Sequence, residues 1–179
     1  MTTYVALLHS IVLGGGRRVV MSDLRATVES IGFRSPRTLV ATGNLVFEAD
    51  MEAVADVEAA LETAFTRDFG KHVDIIGRSA EDWLALAAGN PFSDAGASEA
   101  PNIIVRAMRT PLSRDVLPGL QRHCSDGEKI RIVNGDLWIH FPGKPSTSKL
   151  VPALTTKRLG IGTLRNWNTV RGLRAMIGA

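Results

Sequence analysis

The feature that most constrains this chain is an internal repeat of element order. Thr3 to Leu8 is a run of strand formers. After the glycines Gly14, Gly15 and Gly16, the apolar residues Met21, Leu24, Val28 and Ile31 recur at steps of three and four, the period of an amphipathic helix. Two short strands follow, Thr38 to Ala41 and Leu45 to Phe47, joined by a tight turn at Thr42-Gly43-Asn44. Asp50 is placed to cap a helix with the stripe Val54, Val57, Leu61 and Phe65, and Val73 to Ile76 reads as a fourth strand. The second half runs through the same series. Asn102 to Met108 is a strand, and the helix after Thr110-Pro111 is delayed by Pro118. Ile130 to Val133 and Leu137 to Phe141 flank the hairpin signal Asn134-Gly135-Asp136. A helix from Ser148 to Gly160 and another beginning at Thr163 close the chain. The expected fold class is α+β: two successive ferredoxin-like (βαββα-type) subdomains, the second ending in an extra helix. Residues 1–89 form the first with a following helix, 90–101 a turn-rich linker and 102–179 the second.

Charge divides the halves. Residues 1–100 hold 8 Lys/Arg against 14 Asp/Glu, whereas residues 101–179 hold 13 against 4. The basic second half therefore suits an anionic partner, nucleic acid included. Cys124 is the only cysteine, so no intrachain disulfide can form, and a cytoplasmic setting is expected. No apolar run approaches the roughly 20 residues that span a bilayer, and the N-terminus has no signal-peptide pattern, so no membrane association is expected. Four scattered histidines and one cysteine offer no metal-ligand spacing, and no nucleotide or serine-hydrolase motif is present. Neither a metal nor a cofactor is expected.

A set of segments in order along the chain carries a resemblance. These are Tyr4-Val5-Ala6-Leu7-Leu8, Gly14-Gly15, Met21 with Leu24-Arg25, Thr42-Gly43-Asn44 with Val46-Phe47, Asn90-Pro91-Phe92, Ser148-Lys149-Leu150 and Arg165-Asn166-Trp167-Asn168-Thr169-Val170. With them the chain resembles the bacterial domain-of-unknown-function family 1697. The resemblance implies two α+β subdomains and no particular activity. It breaks after the first strand, where the family usually reads Arg-Gly-Ile-Asn and this chain has His9-Ser10-Ile11-Val12.

Four places offer polar groups for binding. The glycine loop brings His9, Arg17 and Arg18 near a helix start, an arrangement suited to an oxyanion. The turn at Thr42 and Asn44 could present a hydroxyl and an amide beside it. In the second half, alternation puts Trp138 and His140 on one sheet face with Arg131, and Arg106 is expected to join them. Arginines beside an aromatic ring are how single-stranded RNA is held and stacked. Finally, Arg165 and Asn168 lie three apart at an expected helix start, a spacing that suits a carboxylate or phosphate. The leading expectation is a binding module for an anionic ligand, RNA or a phosphorylated small molecule, working through the basic C-terminal half. An enzyme acting on a small substrate in the cleft between the subdomains, using His9, Arg17, Thr42 and Arg165, and a protein-interaction or structural role, are the alternatives. Oligomeric state is not legible in the sequence.

Overall fold

The structure, a computed structural model, describes residues 1–178. The protein is α+β, with two four-stranded antiparallel sheets and helices. It divides into two compact units. One is Met1–Ala85 joined by the segment from Gly172 onward, and the other is Leu86–Arg171.

In the first unit, β1 (Thr2–Leu8), α1 (Met21–Ser30), β2 (Arg34–Thr38), β3 (Asn44–Ala49), α2 (Val54–Phe69), β4 (Ile75–Ser79) and α3 (Ala80–Ala88, which runs past the unit boundary) follow in order. The sheet order is β2-β3-β1-β4. Alternation along β1 sends Tyr4, Ala6 and Leu8 into a core with Leu24, Val28, Val57, Leu61 and Phe65 of α1 and α2. The opposite face, with Val5, Leu7, Val46 and Ile76, is buried as well. The second strand starts earlier than the sequence suggests. Pro36 lies inside it, which is tolerated because β2 is an edge strand and its register shifts between Arg34 and Arg37. Asp50 does not cap α2. The cap position is Ala53, with no side-chain bond, and Asp50 lies 3.6 Å from the N-terminal amine.

The second unit runs β5 (Ile103–Met108), α4 (Leu117–Gln121), β6 (Lys129–Val133), β7 (Asp136–His140), α5 (Thr156–Leu159), β8 (Gly162–Asn166) and α6 (Trp167–Ile177). Its sheet order is β6-β7-β5-β8, the first sheet's order over again. Asn134 and Gly135 take φ of 50° and 84°, so the hairpin turn forms as its residues demand. The expected helix from Ser148 to Gly160 is only partly formed, since short 3-10 turns occupy 145–147 and 151–153 before α5. The expected helix at Thr163 is a strand instead. Residues Gly162–Asn166 pair with β5 from Met108↔Gly162 to Ile104↔Asn166, and α6 begins only at Trp167. Asn166 Oδ1 accepts the Thr169 N–H at 3.0 Å and so caps that helix. Within 90–101, Phe92 and Ala100 are buried and a 3-10 turn spans Ala97–Asn102.

Candidate functional sites

The register of the second sheet decides which predicted residues can meet a ligand. Arg131, Trp138, Val105 and Arg165 face one another across β6, β7, β5 and β8 and share a face. Arg106 does not join them. It pairs with Leu137, so its side chain lies on the face of Ile104 and Met108. There it is 2% exposed, and it donates to the Gly160 carbonyl at 3.0 Å and to Met108 Sδ at 2.8 Å. Burial pushes its pKa down. Trp138 is 1% exposed and packs against Trp167 with ring centroids 6.1 Å apart, so it offers no stacking surface. Arg165 is a strand residue that donates to Thr163 Oγ1 and the Leu164 carbonyl, both at 2.9 Å. Burial pushes its pKa well below the usual arginine value. Arg131 is exposed and donates to the Ile130 carbonyl at 2.8 Å. His140 sits 3.3 Å from Glu99 and against the Phe92 ring. Asn168, exposed on α6, accepts from Arg171 at 2.6 Å, and is not on a helix turn shared with Arg165.

In the first unit, Asn44 is buried and donates to the Leu39 carbonyl at 3.0 Å and to Thr42 Oγ1 at 2.9 Å. That turn is built for shape. Gly43 has φ of 87°, and a Cβ there would lie 2.9 Å from Leu8 Cβ. Arg17 and Arg18 are exposed beside the glycine loop, where Val12 bridges Arg18 and Arg17 reaches the Gly14 carbonyl at 3.5 Å.

Two concave sites emerge that the sequence did not disclose. One, of about 170 Å³, is lined by His9, Ser10, Lys71, His72 and Asp74 over an apolar wall that includes Phe65. The His9 backbone N–H donates to the Asp74 carbonyl at 2.9 Å. Beside it, His72 Nε2 lies 2.9 Å from Asp74 Oδ1 and 3.8 Å from Glu62 Oε2. Folding thus gathers three residues able to ligate a metal where their sequence spacing suggested none. The other site is a shallow recess in the second unit, lined by Asp115, Val116, Gly119, Arg122, His123 and Arg158. Arg158 Nη1 lies 2.8 Å from His123 Nε2, and its side chain has no carboxylate partner among the described residues. Arg122 and His123 adjoin in sequence just past α4, and Arg158 comes from α5, so only the fold brings these bases together.

No helix of the described residues is long and apolar enough to cross a membrane. The profile of a family described as Protein of unknown function (DUF1697) matches residues 1–138. A search of curated proteins finds no match. Among solved structures, the conserved bacterial protein SP0830 from Streptococcus pneumoniae is similar, with a TM-score of 0.76 at 23% identity over 98% of each chain. That likeness is one of fold.

Proposed function

We propose that this chain, which belongs to the DUF1697 family of proteins of unknown function, is a binding module for an anionic, phosphate-bearing ligand held by its basic second unit. The observation that carries this is the recess where Arg122, His123 and Arg158 converge with one acid, Asp115, on the rim. Guanidinium groups match phosphate oxygens in a planar fork, and the His123 imidazole, whose Nε2 accepts from Arg158, steadies one of them. The unit as a whole supports the same reading, because Lys129, Arg131, Lys144, Lys149 and Lys157 are exposed on it too. Burial of Trp138 removes the stacking platform that a base-reading RNA binder needs, so phosphate contact, not base contact, is the expected source of affinity.

The test is equilibrium binding of inorganic phosphate, a nucleotide panel and a single-stranded RNA at low and high salt. Affinity falling steeply with salt, and weakened by Arg122→Ala and Arg158→Ala, is the expected result. No association at low salt, or association indifferent to both substitutions, sinks the reading. A small-substrate enzyme is a second reading, supported by the polar side chains of His9, Lys71, His72 and Asp74 lining one recess over an apolar wall.

We further read each unit as ferredoxin-like. The β-α-β-β-α-β order, with the strands arranged 2-3-1-4 in both sheets, supports this. A bacterial, cytoplasmic setting is supported by the family resemblance and by the single, half-buried Cys124.

A further inference from the structure

We propose that Glu62, His72 and Asp74 form a binding site for a divalent transition-metal ion, of the zinc or cobalt class, in the first unit. The inference is independent of the anion-binding reading. Three ligand atoms, one imidazole nitrogen and two carboxylate oxygens, lie within 4.8 Å of one another. A tetrahedral ion with bonds of about 2.1 Å holds its ligand atoms roughly 3.4 Å apart. The His72–Asp74 and His72–Glu62 distances, 2.9 and 3.8 Å, bracket that separation. Bringing these two pairs to metal-bonding geometry needs shifts of about half an ångström, within reach of side-chain rotation.

The donors are anchored to different degrees. Glu62 projects from the middle of α2, and its Oε2 accepts the Ile75 N–H at 3.2 Å, which fixes the carboxylate between helix and strand. Asp74 is steadied by the bond from the His9 N–H to its carbonyl. His72 is the exposed and adjustable member, with its side chain 62% accessible. One nitrogen and two oxygens suit zinc, cobalt, nickel or manganese, and three protein ligands leave coordination positions for water or a substrate group. Those positions have space to face, because His72 lines recesses on two sides, one reaching His9 and Asp74 and the other running along Glu62, Thr63 and Thr66 of α2. Among the described residues lining the site, the one cation, Lys71, turns its ammonium to the Val12 carbonyl at 3.1 Å. The same His72 nitrogen shares a hydrogen bond with Asp74 Oδ1 at 2.9 Å, a contact that a bound metal would replace.

The experiment is calorimetric titration of the intact chain with Zn²⁺ and with Co²⁺, the latter also followed by its visible absorption. One ion per chain and an absorption band of low-coordinate cobalt are expected. His72→Ala and Asp74→Asn, both at exposed or half-exposed positions, should weaken binding by about tenfold or more. His123→Ala should leave it unchanged. Absence of saturable binding up to millimolar metal overturns the proposal, and so does binding that survives His72→Ala.

Discussion

The two sheets carry the same cross-strand row. In the first, Arg37, Val46, Val5 and Arg78 face one another across β2, β3, β1 and β4. In the second the row is Arg131, Trp138, Val105 and Arg165. Each row has an arginine on both edge strands and a valine on the inner strand beside the fourth, β1 or β5. The fourth strands end alike too. Arg78 and Arg165 each donate to the preceding carbonyl, and the next residue, Ser79 or Asn166, caps the following helix by accepting an N–H three positions on. The difference lies at one place, Val46 against Trp138. It shows that the repeat conserves edges and caps while the middle of the row is free to change size.

A second contrast concerns buried charge. In the first unit Glu58 reaches from the 16-residue α2 and accepts the Gly77 N–H at 2.9 Å. The second unit's corresponding helix, α5, has four residues. There the buried charge is Arg106, rising from the sheet itself to the Gly160 carbonyl. A long helix can lower an acid onto a strand's amides, whereas a short one leaves the sheet to supply its own filling.

The largest test of the row is Trp138→Ala. Removing a fully buried indole should cost about 3–5 kcal/mol in urea unfolding. A loss under 1 kcal/mol would show that the ring is not core. Next is Glu58→Ala, which strands the Gly77 N–H in the core and should cost about 1–3 kcal/mol. Arg106→Met should break the symmetry by being neutral or stabilising, within about 1 kcal/mol, because it removes a buried charge with no carboxylate partner among the described residues. A large loss would show that Arg106 holds its unit together.

Glycine substitutions probe the same pair. A Cβ on Gly162 would lie 2.6 Å from Arg106 Nη1 and 2.9 Å from the Ala107 carbonyl oxygen, while one on Gly77 would lie no closer than 3.1 Å to a neighbour. Gly162→Ala should therefore cost about 1–3 kcal/mol by overpacking, more than Gly77→Ala, and comparison of melting curves decides it. The smallest effect is local. Arg67, and then the Thr27 hydroxyl, hold the Asp68 carboxyl down to about 2. A depressed carboxylate favours the folded state above the usual aspartate range, and that contribution is lost as pH falls through about 2. An NMR titration of Asp68 checks this, and Thr27→Val should raise its midpoint.

Much of this architecture is legible in the sequence where the cause is local. The Asn134-Gly135 turn announces itself because few residues accept positive φ twice in succession. The α1 stripe is legible because its period is that of the helix. What escapes is set by partners far along the chain. Strand β8 is five residues with an arginine and an asparagine, and only pairing with β5 makes it a strand. The face of Arg106 follows from its register against Leu137, which alternation within one strand cannot supply. The proposed metal ligands lie 10 and 2 residues apart, so His72-x-Asp74 is a weak signal until α2 brings Glu62 beside it. The Arg122 and Arg158 recess is equally a product of the fold.

The first unit is discontinuous in sequence. Its last piece begins at Gly172, where a Cβ would lie 2.7 Å from Leu39 Cδ2, so the two approach closely. Farther on, the Met176 carbonyl accepts from Arg37 at 3.0 Å. On the ribosome, therefore, residues 1–85 emerge first but are completed only after the whole of the second unit has been made. The first unit is completed after the second, and its β2 edge waits, partly undressed, for the segment from Gly172 to be made.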